Sequence, residues 1–259
     1  EFDIAVSYPR YWHGFLVFLK PLLALAGYRT LRMINGGAQL LLVLLVVALL
    51  WRKGRKGYAL PFCLTYLLLM PLALARSLQY SACFYIALLM SILLLTVKGE
   101  RAALLILLNG GMATAFFDFL TYPVATLGIP LVFYLIVHGE ASPEHSLRQM
   151  LKLGLCWCLG YAGMWASKWI IASVFPGTNV ITDALQTVGA RTSHASMDGS
   201  VRYSWIACFT ENFYTFFHTP ITVLALTFCA VRIAAGRGKR RFRTAPSASA
   251  RIPYVAVGL

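Results

Sequence analysis

The chain has 259 residues, of which 59% are hydrophobic, 14% aromatic and only 12% charged, with a mean hydropathy of +0.70. An ordinary water-soluble domain carries about a quarter charged residues, and one of this length has nowhere to bury so much apolar surface. The composition excludes a soluble globular enzyme and points to an integral membrane protein, so the formal net charge of +14 has to be explained at the membrane faces.

Residues 1–31 come first, and "SYPRYWHGFLVFLKPLLALAGYR" within them interleaves aromatics, cations and leucines. Pro21 and Gly27 divide the apolar part into pieces too short to span. One or two amphipathic helices lying in the outer interface are expected, with Tyr8, Tyr11 and Trp12 at headgroup depth and Arg10 and His13 offered to a ligand.

A helix needs roughly 20 apolar residues to cross a ~30 Å hydrocarbon layer, fewer where it is broken and supported by its neighbours. Seven such runs follow, near 32–51, 57–75, 80–97, 102–119, 123–138, 151–174 and 210–234, and another begins at "RIPYVAVGL". The expected fold is therefore all-α: a polytopic transmembrane helix bundle of about seven spans, 32–234, preceded by the interfacial segment 1–31. A basic stretch, 235–259, closes the chain.

Lys and Arg concentrate in short cytoplasmic loops. The basic segments "RKGRKG" (52–57), "KGER" (98–101), "RQMLK" (148–152) and "RGKRRFR" (237–243) all fall on one side if seven spans alternate. That side is expected to be the cytoplasm, which leaves residues 1–31 outside, and orientation rather than nucleic-acid binding then accounts for the basic loops. An outer N-terminal segment without initiator Met or export signal is read as belonging to a fragment cut at both ends.

Cations on the outer side are the less ordinary feature. Arg10, Lys20, Arg29, Arg32, Arg76, Lys168, Arg191 and Arg202 fall there, although insertion disfavours exported positive charge. Either they grip an anionic ligand such as a lipid or sugar phosphate, or they snorkel and pair with outer acids.

The candidate site centres on "AFFDFLTYPVATLGIP" (115–130). Asp118 arrives at the outer end of span 102–119, and Pro123, which disfavours helix at Tyr122, turns the chain straight back, with Gly128 and Pro130 expected to loosen the descent. Broken backbone at such depth needs protein or a water-filled cavity around it, so Asp118 is expected to line a cavity open to the outside. Lys168, set between Trp165 and Trp169, is either its structural ion-pair partner or a second site residue. Arg76 and Gln79 in the outer turn "RSLQY" and Glu211 in "TENFYTFFHTP" are placed at the same level, and the outer loop 175–203 is either a connector or a lid.

Six cysteines (Cys63, Cys83, Cys156, Cys158, Cys208 and Cys229) sit in apolar spans without metal-ligand spacing and are read as small buried hydrophobes. There is no Gly-rich phosphate loop, no GxSxG and no HExxH. The "NGG" tripeptide recurs at 35–37 and 109–111, too short to establish a repeat.

"YPRYWHGFLVFLKPLL", "FFDFLTYPVATLGIPL" and "GYAGMWASKWIIASV" together resemble a family of uncharacterised multi-pass bacterial membrane proteins whose architecture is similar to the GT-C glycosyltransferases. The resemblance implies the bacterial inner membrane, membrane lipids as surroundings, and transfer of a sugar from a polyprenyl-phosphate donor at the outer face, with or without a divalent metal. It also implies a catalytic acid early in the first outer loop, expected to lie before residue 1, since Glu1 and Asp3 are too near the start to be assigned that role. Asp118, Lys168, Arg10, His13, Tyr122, Arg76, Gln79 and Glu211 would then be substrate-binding residues. A transporter or lipid flippase with its site at the broken helix around Asp118 is the rival expectation, and a non-catalytic envelope scaffold a third.

Overall fold

The computed structural model describes residues 11–68, 71–118, 122–138 and 143–174, together with isolated helical positions between 182 and 231. Every element among the described residues is helical. In chain order these are α1 (Phe15–Leu25), α2 (Tyr28–Arg52), a 3-10 turn (Lys56–Tyr58), α3 (Ala59–Leu68), α4 (Pro71–Arg76), a second 3-10 turn (Leu78–Tyr80), α5 (Ala82–Thr96), α6 (Glu100–Phe117), α7 (Ala125–His138) and α8 (Pro143–Val174). Two units emerge, one built on Tyr11–Ala166 and the other taking up the chain from Ser167, within α8.

The first unit is arranged around α5. Apolar on every side, this helix buries a broad face, including Phe84, Leu88, Met90, Leu94 and Leu95, where α2, α6 and α7 pack against it, and leaves Leu89 and Leu93 exposed. By contrast α2 buries a single stripe, Leu31, Asn35, Gln39, Val43, Val46 and Leu50, at the i+3/i+4 spacing of one helix face. Its remaining faces are just as apolar and stand exposed: Met33, Ile34, Leu40, Leu41, Leu44 and Leu45. In water such a surface would associate or aggregate, and in lipid it needs nothing. Two helices of the described residues, Tyr28–Arg52 and Leu78–Thr96, are long and apolar enough to cross a membrane.

Successive elements run up and down. Val46 and Leu50 near the end of α2 share a buried cluster with Ala59 at the start of α3, Leu95 at the end of α5 and Ile136 near the end of α7. At the opposite end Asn35 of α2 reaches Ala75 of α4 and Ser81 at the start of α5. The ion pair between Lys152 Nζ and Glu100 Oε1, 3.0 Å, ties the first turn of α6 to the early part of α8. The basic segments 52–57, 98–101 and 148–152 thus gather at one end of the unit, as alternation requires.

Several expectations are corrected in detail. Within the run 57–75 the described residues form α3 up to Leu68 and α4 from Pro71. Proline does not divide α1 or loosen α7, since both continue through Pro21 and Pro130. The break after α1 falls instead at Ala26, which is extended (φ −143°, ψ 147°). Residues 28–31 belong to α2 rather than to the interfacial segment, and α8 begins at Pro143, eight residues ahead of its apolar stretch, with polar Glu144, His145 and Ser146 in the first turn. Of the four described cysteines only Cys83 is fully buried, while Cys158 is exposed on α8. Residues 1–10 with Arg10, nearly all of loop 175–203, most of span 210–234 and all of 235–259 lie outside the described residues.

Candidate functional site at the end of α6

Three segments far apart in sequence meet where α6 ends. Tight packing of α6 on α8 begins the arrangement: a Cβ on Gly111 would strike the backbone of Trp157 and Tyr161, and one on Gly160 would strike the carbonyl of Leu108. Small residues allow helix backbones to touch, the usual route to tight association in lipid. One turn further along, Thr114 and Thr126 Oγ1 atoms lie 2.8 Å apart, and Trp157 Nε1 donates to Thr126 Oγ1 at 3.2 Å. This buried hydroxyl pair joins α6, α7 and α8 directly beneath Asp118.

Helix α6 ends at Phe117 because the backbone turns extended at Asp118 (φ −86°, ψ 140°), whose N–H still donates to Thr114 O at 2.9 Å. The N-terminal segment then covers that end. Gly14 N–H donates to Phe116 O at 2.9 Å, satisfying one of the last-turn carbonyls, and a Cβ on Gly14 would collide with Phe116. Trp12 stacks obliquely on Phe116, with ring centroids 5.2 Å apart, while its Nε1 donates to Met164 O on α8 at 2.9 Å. Tyr11 meets Trp165 edge-on at 5.2 Å, and Phe18 of α1 packs on Phe117.

Asp118 is 7% exposed at the centre of this junction. A carboxylate at a helix C-terminus faces the negative end of the macrodipole, unfavourable by ~0.3–1 kcal/mol even at exposed positions. Cys83 of α5 and Tyr161 of α8 are within electrostatic reach of it. Among the described residues no group of three His, Cys, Asp or Glu side chains is placed to hold a metal ion. The chemistry on offer is that of a buried carboxylate ringed by aromatic walls, a thiol and a phenol.

The sequence-derived site residues are distributed as follows. His13, partly buried, precedes the docked Gly14, and its carbonyl accepts from Leu16 N–H at 3.0 Å. Tyr122 is exposed and meets Phe84 edge-on at 6.0 Å. These two and Asp118 belong to the same end of the unit. Arg76 and Gln79 are exposed at that end as well, on the α2–α4 side, where Arg76 O accepts from Tyr28 OH at 3.2 Å. Lys168 and Glu211 belong to the second unit, Lys168 partly buried on the last turns of α8 and Glu211 exposed at a helical position.

A buried polar cluster on the α2–α5 side was not foreseen. Asn35 Nδ2 donates to Ala75 O (3.0 Å) and Ser81 Oγ (2.8 Å), while its Oδ1 accepts from Tyr85 OH (2.8 Å) and from Gln39 Nε2 (3.4 Å). Tyr66 OH in turn donates to Gln39 Oε1 at 3.0 Å. Asn35 and Gln39 stand four residues apart in an otherwise apolar span, so both face one side of α2, and that spacing was the available signal. The two "NGG" tripeptides are unlike in three dimensions: Asn35 is buried in this network, whereas Asn109 is exposed and bonds back to Leu105 O. No family model, curated protein or solved structure matches the chain.

Proposed function

We propose that this chain is a multi-pass protein of the bacterial inner membrane, of about seven spans, that acts at the outer face on a polyprenyl-phosphate-linked sugar in the manner of GT-C glycosyltransferases. The observation that carries the reading is the convergence of Tyr11–Gly14, Phe116–Asp118 and Met164–Trp165 on one buried carboxylate, at the end of the unit opposite the basic segments. With those segments in the cytoplasm by the usual charge rule, Asp118 lies at the outer face.

In this reading Asp118 accepts hydrogen bonds from sugar or acceptor hydroxyls, and the aromatic wall of Trp12, Phe116 and Trp165 excludes water around it. Arg76 neutralises the lipid phosphate as it departs, which is the larger electrostatic demand of the transfer. His13, Tyr122 and Gln79 complete the contacts with donor and acceptor.

A specific feature favours transport as the second reading. The buried Asn35–Gln39–Tyr66 cluster on α2 and α3 is the kind of internal polar group that transporters place within otherwise apolar spans.

The test is binding of a polyprenyl-phosphate-linked sugar to the purified chain in nanodiscs. Asp118→Asn and Arg76→Gln are expected to weaken it about tenfold or more, equivalent to the loss of one charge-assisted hydrogen bond, with folded yield unchanged. Absence of binding by the unaltered chain, or equal loss of folded yield in both variants, would sink the proposal. Movement of the intact lipid-linked sugar between leaflets of a liposome would decide for transport.

A further inference from the structure

Between Asp3 and Glu100 the chain contains no acidic residue, yet it places Arg29, Arg32 and Arg76 at one end of the helical unit. Tyr28 organises the three. Its hydroxyl donates to Arg76 O at 3.2 Å, bringing the end of α4 to the start of α2, and the Arg32 guanidinium lies 5.6 Å over its ring. Arg29 and Arg32 are three apart on α2 and so project from neighbouring faces. Arg29 and Arg76 are exposed, Arg32 is partly so, and none of the three forms an ion pair among the described residues.

Directly below this cluster α2 offers a continuous apolar track. Met33, Gly37, Leu40 and Leu44 follow Arg29 at steps of four, four, three and four, and the three large side chains are 71%, 59% and 55% exposed. A cationic head over an apolar stripe complements an anionic head over an acyl chain.

We infer that Arg29, Arg32 and Arg76 bind the phosphate of an anionic phospholipid whose acyl chain lies along the Met33–Leu44 face of α2. Arginine suits this ligand because its planar fork holds two phosphate oxygens at once, and a desolvated headgroup phosphate supplies a counter-charge that no described residue supplies here. The inference rests on this end of the unit meeting the membrane surface and not on the sugar-transfer reading, because anionic lipid is a fitting partner in either leaflet. It also separates a retained lipid from diffuse snorkelling, which needs no particular headgroup.

Native mass spectrometry of the full chain, delipidated and re-exposed to defined lipids, tests it. Phosphatidylglycerol is expected to remain as a single adduct that phosphatidylcholine does not replace, and Arg29→Gln/Arg32→Gln to lower its retention about tenfold. Arg55→Gln/Lys56→Gln, which removes the same charge at the other end, should leave retention unchanged. Equal retention of the two lipids, equal loss in both double variants, or displacement by inorganic phosphate alone would overturn the assignment. Both double variants change positions outside the Asp118 junction, with Arg29 and Lys56 exposed and Arg32 and Arg55 partly so. Unchanged binding of the lipid-linked sugar in Arg29→Gln/Arg32→Gln therefore separates the Arg29–Arg32 part of this site from the one proposed above, with which it shares Arg76.

Discussion

Substitution of Gly111 by alanine probes the helix crossing on which the candidate site is built. The new Cβ would meet the Trp157 carbonyl, the Tyr161 nitrogen at 2.8 Å and the Trp157 carbonyl carbon at 3.0 Å, all backbone atoms of α8. Carbon and heavy atoms rest at roughly 3.5–4 Å, so the helices must part by up to about 1 Å or the backbone must distort. Overpacking of this kind costs ~1–3 kcal/mol, while alanine returns up to about 1 kcal/mol in helix propensity. Parting also stretches the Trp157 Nε1–Thr126 Oγ1 bond, already 3.2 Å, which adds to the loss. A net destabilisation of about 2 kcal/mol is expected, measured by SDS titration of the purified chain in mixed micelles. Gly163→Ala is the control, because nothing lies within 4 Å of a Cβ there and the change should be neutral or slightly stabilising. Gly160→Ala, which strikes Leu108 and Met112 across the same crossing, should add less than its full cost to Gly111→Ala, since the helices have already separated. Coincident unfolding of Gly111→Ala and Gly163→Ala would refute the close-contact account of α6 and α8.

Asn35→Ala removes the hub of four side-chain hydrogen bonds, and at the ~0.6 kcal/mol typical of such bonds between membrane helices it should cost about 2–3 kcal/mol in the same titration. Tyr66→Phe removes one bond at the edge of the network and should cost about 0.6 kcal/mol, so equal effects would mean that Asn35 is not the hub. Glu100→Gln breaks the pair with Lys152, whose side chains are 41% and 53% exposed, and should shift stability by less than about 0.5 kcal/mol, falling further as salt rises. A loss above roughly 1.5 kcal/mol would show that the pair is shielded from solvent in the membrane-embedded protein.

What could be read from the sequence was whatever depends on one segment at a time. Asp118 was placed at the end of its helix and is found there, because the apolar run up to Phe117 and the TYP that follows are local signals. The polar start of α8 was missed for a related reason: Glu144, His145 and Ser146 lower the hydropathy without lowering helix formation, so the apolar window opened eight residues late. Pro21 and Pro130 misled in another way, since α1 and α7 continue through residues that were expected to interrupt or loosen them.

Partnership between segments was not legible in the same way. Gly111 and Gly160 each look like a mild weakness in a helix, and only their reciprocal contact turns both into a requirement for close packing. Asn35 and Gln39 presented a readable pair on one face of α2, yet their partners Tyr66, Ser81 and Tyr85 carry no mark that separates them from other polar and aromatic residues of the chain. The two networks divide the work of the unit. Thr114, Thr126 and Trp157 fix α6, α7 and α8 below the carboxylate, while Asn35 and its partners fix α2, α4 and α5 beside it. The helices between these two anchored groups meet through apolar contacts of α5 with α7, which specify distance less strictly than hydrogen bonds do. A ligand reaching Asp118 from the Arg76 side would therefore press on this apolar seam between α5 and α7. Chemical cross-linking of Gln79→Cys to Tyr122→Cys, with and without the lipid-linked sugar, would show that seam opening as a fall in cross-linked yield, and an unchanged yield would confine the ligand to one side of it.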